Sequence, residues 1–255
     1  MTKKILITGA NGQLGHEMRN ALKGNNRFEC IFTDVAELDI CNAEAVKQII
    51  ADNHIDYIVN CAAYTQVDKA EDNAELCKKI NTDAVENLAR AAADYGARMI
   101  HISTDYVFNG RGYSPYTEDM PPDPQSVYGS TKLEGEKILT DICPESIIIR
   151  TAWLYSPYGN NFVKTMLHLG EEREELSVVA DQIGTPTCAA DLAQAILVIL
   201  QADTFVPGTY HFSDEGVCSW YDFTVTIHRL AGITTCRVTP VSYTHLRAHE
   251  TLSDL

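Results

Sequence analysis

The stretch Thr8-Gly9-Ala10-Asn11-Gly12-Gln13-Leu14-Gly15 follows directly on the apolar run Ile5-Leu6-Ile7. A strand, a glycine turn and a helix in that order leave few folds open. Gly9, Gly12 and Gly15 permit backbone angles closed to other residues and let the main chain approach an anion with no side chain between. The helix that follows presents unpaired N–H groups and aligned peptide dipoles to the same point, which favours a phosphate there.

Beyond the turn, short apolar or β-branched runs alternate with amphipathic stretches. The pattern predicts strands at Ile5–Thr8, Cys30–Thr33, Tyr57–Asn60, Met99–Ser103 and Ile147–Arg150. It predicts helices at Leu14–Leu22, Ala43–Asp52, Ala74–Tyr95 and Tyr128–Thr140. Repetition of strand, helix and strand implies an α/β fold with a Rossmann-like, doubly wound parallel sheet. After Arg150 the rhythm loosens: Phe162–Leu169, Ala190–Gln201 and Trp220–Leu230 read as helices and Leu176–Val179 as a strand. That part is expected to form a smaller, partly interleaved substrate-binding lobe. Residues 1–155 then make the nucleotide-binding domain, 156–242 the lobe and 243–255 a tail. Residues 109–125, rich in Gly, Pro and charge, read as a long loop over the carboxyl edge of the sheet.

A formal net charge of −15 denies the chain the cationic face that nucleic-acid or anionic-membrane binding needs, so neither partner is expected. The eight cysteines stand singly, without paired metal-ligand spacing, and read as reduced thiols of a cytoplasmic protein. The apolar run after Lys3-Lys4 stops at Gly9, too short for a signal-peptide core or a membrane span.

Tyr128 stands four residues before Lys132, on one face of a predicted helix. Reduction of a carbonyl by a nicotinamide requires a proton for the forming alkoxide, and a phenol of pKa about 10 needs tuning to supply it. A lysine ammonium one turn away stabilises phenolate character and reaches the nicotinamide ribose. Upstream, Ile100-His101-Ile102-Ser103-Thr104-Asp105 ends a strand at the ligand-binding edge, where Thr104 is placed to hydrogen-bond a substrate carbonyl. Taken singly, the tyrosine and lysine also fit a solvated helix face and Thr104 a turn. The glycine turn gives them a common reading.

Further blocks narrow it: Asn60-Cys61-Ala62-Ala63-Tyr64-Thr65-Gln66-Val67-Asp68-Lys69-Ala70-Glu71, Ser103-Thr104-Asp105-Tyr106-Val107-Phe108-Asn109-Gly110, Arg150-Thr151-Ala152-Trp153-Leu154-Tyr155 and Asp181-Gln182-Ile183-Gly184-Thr185-Pro186-Thr187. With these, over about Lys4 to Pro240, the chain resembles the extended short-chain dehydrogenase/reductases and, within them, the dTDP-4-dehydrorhamnose reductases.

The resemblance implies reduction of the C4 keto group of dTDP-4-dehydro-6-deoxy-L-mannose to dTDP-L-rhamnose with NADPH or NADH, for surface polysaccharide synthesis. Tyr128 would donate the proton, Lys132 would tune it and hold the ribose, and Thr104 would orient the carbonyl. Gly12, Gln13 and Leu14 would line the pyrophosphate in the turn made by Gly9 and Gly15. Asp34, with Asp39 and Ile40, would lie near the adenosine half, and Ala63, Tyr64 and Thr65 would flank the cofactor. Ile102 would contribute backbone, Thr104 and Asp105 would meet the sugar, and Trp153 would form part of the sugar-nucleotide site. A carboxylate at Asp34 favours a free ribose 2′-OH and hence NADH, with Arg27 and Lys23 the cations on hand for a 2′-phosphate. The family's magnesium at a dimer contact points to Glu17, read as exposed on the first helix, and to a homodimer.

Two rival classes remain. Sugar-nucleotide dehydratases resemble a Thr-Asp-Glu sequence, and here Tyr106 replaces the carboxylate that would abstract the C5 proton; epimerases share the fold. A non-catalytic, cofactor-binding regulator similar to the β subunit of methionine adenosyltransferase is the other, disfavoured by the intact Thr104, Tyr128 and Lys132. From Tyr243 onward the sequence departs from the family pattern, as a shortened and foreign carboxyl end would. His245 and His249 share a helical face there but lack a third zinc ligand.

Overall fold

The computed structural model describes residues 2–244; the rest of the tail, with His245 and His249, lies outside the described residues. In chain order it forms β1 (Lys3–Thr8), α1 (Gln13–Leu22), β2 (Phe28–Phe32), α2 (Ala43–Asn53), β3 (Tyr57–Asn60), α3 (Val67–Asp72), α4 (Ala74–Lys78), a π turn (Lys79–Asp83), α5 (Ala84–Tyr95) and β4 (Arg98–Thr104). A 3-10 turn (Asp105–Val107), α6 (Val127–Ile142) and β5 (Ile147–Thr151) follow. The chain then makes β6 (Leu154–Tyr155), α7 (Phe162–Glu172), β7 (Glu175–Val179), β8 (Ile183–Gly184), β9 (Thr187–Cys188), α8 (Ala189–Gln201), β10 (Gly208–His211), β11 (Cys218–Ser219), α9 (Trp220–Ala231) and β12 (Arg237–Val241).

Six strands pair in the order β10-β5-β4-β3-β1-β2, every pairing parallel. Strand order reverses between β1 and β3, and at such a point the loops beyond the carboxyl ends part to leave a crevice for a ligand. The expected doubly wound sheet is therefore present. Its strands are apolar on both faces because helices cover both: Ile5, Leu6 and Ile7 are all inaccessible to solvent. On α5 the buried positions Ala84, Val85, Leu88, Ala89 and Ala92 follow helical spacing against Leu6, Ile58 and Met99. The helix stops where Gly96 turns left-handed (φ 71°).

The described chain divides into two compact units, the first formed by residues 2–151 and 190–212, the second by 152–189 and 213–244. The expected division fell after residue 155 with a partly interleaved lobe; α8 and β10 are the segment that returns to the first unit, because β10 has the open edge of β5 to pair with. Within the second unit, α7 and α9 cover the parallel pair β7 and β12 around Met166, Leu169, Leu176, Val178 and Ile227. α9 begins with a reciprocal cap between Ser219 and Asp222 and ends at Gly232 (φ 72°).

One helix departs from expectation. Ala74–Tyr95 is not continuous: a π turn at Lys79–Asp83 separates α4 from α5. No helix among the described residues is long and apolar enough to cross a membrane.

Candidate active site

Gly9 sits at φ +62°, and a β-carbon there would lie 2.8 Å from the Ala62 amide nitrogen at the end of β3. A β-carbon on Gly15 would overlap the Gly9 carbonyl. These two glycines let the turn, α1 and β3 close together. Helix amino termini carry N–H groups with no intrahelical acceptor, and Gly12 at the cap of α1 has no side chain to satisfy them. The cradle thus fits a pyrophosphate. Leu14 itself is core, 4% exposed, so only its backbone faces this point, while Gln13 is half-buried.

Asp34 follows β2 and accepts from the amides of Asn11 (2.9 Å) and Val35 (2.8 Å), which fixes its carboxylate beside the glycine turn. Asp39 is exposed and accepts from the Cys41 amide, whereas the Ile40 side chain is buried in the core and its carbonyl accepts from Asn87. The two cations expected to suit a 2′-phosphate are misplaced. Lys23 caps the far end of α1, about 15 Å of helix from Gly12. Arg27 precedes the amino end of β2 and donates to the Gln201 carbonyl. Both lie at the sheet edge opposite Asp34.

Tyr128 and Lys132 project from α6, whose first turn is capped by Ser126 accepting from the Gly129 amide (3.1 Å). Glycine at 129 is required by packing, since a β-carbon would overlap the Tyr106 carbonyl in the 3-10 turn. That close approach brings the Tyr128 ring edge-on to Tyr106, centroids 5.5 Å apart, and its phenol to Thr104. Thr104 is buried at the carboxyl end of β4, accepts from the Tyr106 amide (3.2 Å) and donates to Asp105 Oδ1 (3.1 Å). Thr104 and Tyr128 are thereby brought together, and Lys132 follows one turn along α6.

Their protonation follows from burial. Loss of solvent pushes the Tyr128 phenol well above its ordinary range, and the Thr104 hydrogen bond draws it partly back. Asp105, half-buried beside them, has its carboxyl raised to about 6 by desolvation. Lys132 is 1% exposed and its ammonium is lowered to about 8 by the same cause, opposed by the charge of Glu136 and by Cys77. Its Nζ donates to the Ile102 carbonyl at 2.7 Å and lies 3.3 Å from His101 Nε2.

Several residues of this site went unread in the sequence. Asn81, inside the π turn, accepts from the Tyr64 amide (2.9 Å) and donates to the Tyr64 carbonyl (3.1 Å), so it holds the Ala63-Tyr64-Thr65 segment. A π turn re-aims one side chain out of helical register, and such turns gather at functional sites. Asn60 and His101, on adjacent strands, make a buried pair 3.0 Å apart. Glu136 and Arg150 form a buried ion pair behind Lys132.

Trp153 belongs to the second unit. It is one of two non-glycine residues with positive φ (49°) among the described residues, a strained conformation, and stacks on Trp220 with centroids 3.4 Å apart. Gly184 makes room for it: a β-carbon there would lie 2.5 Å from Trp153 Cε2. Glu17 is buried rather than exposed, 7% accessible, and accepts from Asn20 Nδ2 at 3.1 Å. No group of three or more His, Cys, Asp or Glu side chains is placed to hold a metal ion among the described residues.

Residues 3–250 match the family described as RmlD substrate binding domain, so the match runs past Tyr243, where the resemblance was expected to end. The chain is similar to the dTDP-4-dehydrorhamnose reductase of Aggregatibacter actinomycetemcomitans, 44% identical over 228 residues, which are 88% of this chain and 78% of that protein. The crystal structure of a dTDP-4-dehydrorhamnose reductase from Clostridium acetobutylicum superimposes with a TM-score of 0.91 at 50% identity, covering 95% of this chain and 85% of the other. That of the Bacillus anthracis enzyme, in complex with NADP, gives 0.92 at 43% identity, covering 96% and 86%. With this sheet, this glycine turn and this Thr-Tyr-Lys arrangement, the chain belongs to the dTDP-4-dehydrorhamnose reductase family.

Proposed function

We propose that the chain reduces the C4 keto group of dTDP-4-dehydro-6-deoxy-L-mannose to dTDP-L-rhamnose, using NADPH or NADH. The observation that carries this reading is the convergence of Thr104, Tyr128 and Lys132 at the carboxyl edge of the same sheet whose glycine turn fits a pyrophosphate. A reduced nicotinamide supplies a hydride for the carbonyl carbon when bound. Gly9, Gly12 and Gly15 would hold its pyrophosphate through backbone, with Asp34 on the adenosine side and the Tyr64 segment flanking it.

Thr104 orients the substrate carbonyl by hydrogen bonding. The Tyr128 phenol gives its proton to the oxygen as negative charge develops there, a role for which a phenol in a dry pocket needs a stabilised phenolate. Lys132 in its ammonium form provides that stabilisation from one turn along α6 and donates towards the ribose. Asp105 accepts from the sugar, and Trp153 with its partner Trp220 offers the second unit's aromatic surface to the sugar nucleotide. Asp34 favours NADH, and the displacement of Arg27 and Lys23 to the other edge removes the 2′-phosphate role assigned to them.

The test mixes the purified chain with NADPH or NADH and dTDP-6-deoxy-L-lyxo-4-hexulose and follows the loss of reduced-nicotinamide absorbance. Turnover should fall by about 10²- to 10⁴-fold in Tyr128→Phe with cofactor binding retained. Turnover that survives the substitution, or none in the unaltered chain, would refute the reading.

A further inference from the structure

Lys132 is backed by a hydrogen-bond chain that runs away from the reacting side. Asn60 Oδ1 accepts from the Ala62 backbone amide at 3.2 Å and from Thr8 Oγ1 at 2.6 Å. A backbone amide can only donate, so the Ala62 contact fixes which way the Asn60 amide faces. Its nitrogen is thereby turned to His101 Nδ1, 3.0 Å away. An amide nitrogen has no lone pair to offer, so His101 Nδ1 must accept. His101 is inaccessible to solvent, and burial together with the Lys132 charge holds it neutral. A neutral imidazole whose Nδ1 accepts carries its proton on Nε2, the atom 3.3 Å from Lys132 Nζ.

We propose that Asn60 and His101 are positioning residues for Lys132: the fixed Nε2–H tautomer withholds an acceptor from the lysine's charged form and offers a donor to its neutral form. The inference rests on the reductase reading for its consequence in catalysis, but the tautomer argument stands on the hydrogen bonds alone. An ammonium has three protons and no lone pair. With His101 unable to accept, the Ile102 carbonyl is the one acceptor among the described residues that engages the ammonium, and the remaining protons stay directed to whatever binds at the carboxyl edge. The neutral amine accepts from Nε2–H instead. The other titratable groups acting on Lys132 are Glu136 on its own helix and Cys77 on α4; both favour the charged form, opposite to His101.

Asn60→Asp tests this directly. A carboxylate still accepts from Ala62 and Thr8 but also accepts from Nδ1–H, so the imidazole reverses its tautomer and turns an Nε2 lone pair to Lys132. The ionisation of Lys132 is read in the full chain without cofactor by NMR of lysine labelled with carbon-13 at Cε, its signal assigned with Lys132→Arg. Asn60→Asp should raise the Lys132 pKa by about one unit or more, since one hydrogen bond gained by the cation is worth about that much. In the His101→Phe background the same substitution should raise it distinctly less. His101→Phe alone should also raise it, by removing the donor that favours the amine. In the unaltered chain and each variant, the alkaline limb of the pH profile of nicotinamide oxidation should move with the measured ionisation.

An Asn60→Asp shift undiminished by His101→Phe would mean that the carboxylate acts by charge alone, and would overturn the proposal. If Asn60→Asp does not fold, His101→Phe decides: an unmoved Lys132 ionisation overturns it. If the titrations behave as expected but the unaltered chain oxidises no nicotinamide, the tautomer arrangement is upheld and the reductase reading is what fails.

Discussion

Glu136 accepts from one edge of the Arg150 guanidinium, with Nε 3.0 and 3.2 Å from its two oxygens and Nη2 2.7 Å from Oε2. Both side chains are buried, and Ser103 Oγ donates to the same carboxylate. The pair ties α6 to β5 and β4 one turn beyond Lys132, so the helix that carries Tyr128 and Lys132 is held in register on the sheet. Arg150→Met leaves the Glu136 charge buried and unpaired and should destabilise the chain by about 3–5 kcal/mol. Arg150→Met with Glu136→Leu should recover most of that loss, because an apolar pair of similar volume needs no desolvation. Urea unfolding midpoints of the two variants check the difference; equal losses would contradict it.

Gly129→Ala probes the approach of α6 to the 3-10 turn. The added methyl meets the Tyr106 carbonyl, which cannot yield without moving the turn that begins at Thr104. Displacing Tyr128 by about an ångström should lower kcat about 10²-fold. Cofactor affinity, set mainly by the glycine turn, should change far less. Stopped-flow turnover beside a fluorescence titration of the reduced nicotinamide separates the two.

How far the site could be read from the sequence depended on distance along the chain. The glycine turn, the Tyr128–Lys132 pair and the paired strands are local patterns, and each appears where its spacing placed it. Asn60 and His101 are partners across two strands, and Glu136 and Arg150 across a helix and a strand. Within its own element each is merely a polar residue interrupting an apolar run, and no spacing announces the partner. The π turn around Asn81 was hidden for another reason: Ala74–Tyr95 keeps helix-forming composition throughout, so nothing marks where an extra residue enters a turn. β10 is only Gly208–His211, and its pairing with β5 depends on an edge set by the rest of the sheet.

Asp105 should make stability depend on pH. Its carboxyl is raised to about 6 by burial, so the folded chain holds that proton to a higher pH than the unfolded chain does. Ionised Asp105 therefore costs stability: the cost is absent below about pH 4, grows through about pH 6 and is complete above it. Asp105→Asn keeps an acceptor for Thr104 and removes the charge. It should stabilise the chain by up to about 3 kcal/mol at neutral pH and leave it unchanged near pH 4. Chemical denaturation at the two pH values decides it, and equal effects at both would count against it.

Gly184→Ala should act on the sugar nucleotide without touching the chemistry. The new β-carbon would meet Trp153 and force the indole off Trp220. KM for the sugar nucleotide should rise about 10-fold, as expected for losing an aromatic contact of roughly 1 kcal/mol. The KM for reduced nicotinamide should hold. A matched rise in both would refute the role given to Trp153.

The return of residues 190–212 to the first unit bears on how such an enzyme can be taken apart. A fragment ending at residue 151 would lay β5 bare along an edge that Ile147, Ile148 and Ile149 make apolar, the kind of strand that recruits other chains. The first unit is therefore not a portable module encoded by one continuous stretch. Recombination that exchanged the second unit between relatives would have to join chains at 151/152, 189/190 and 212/213 together, and a single crossover would yield a sheet with an open side.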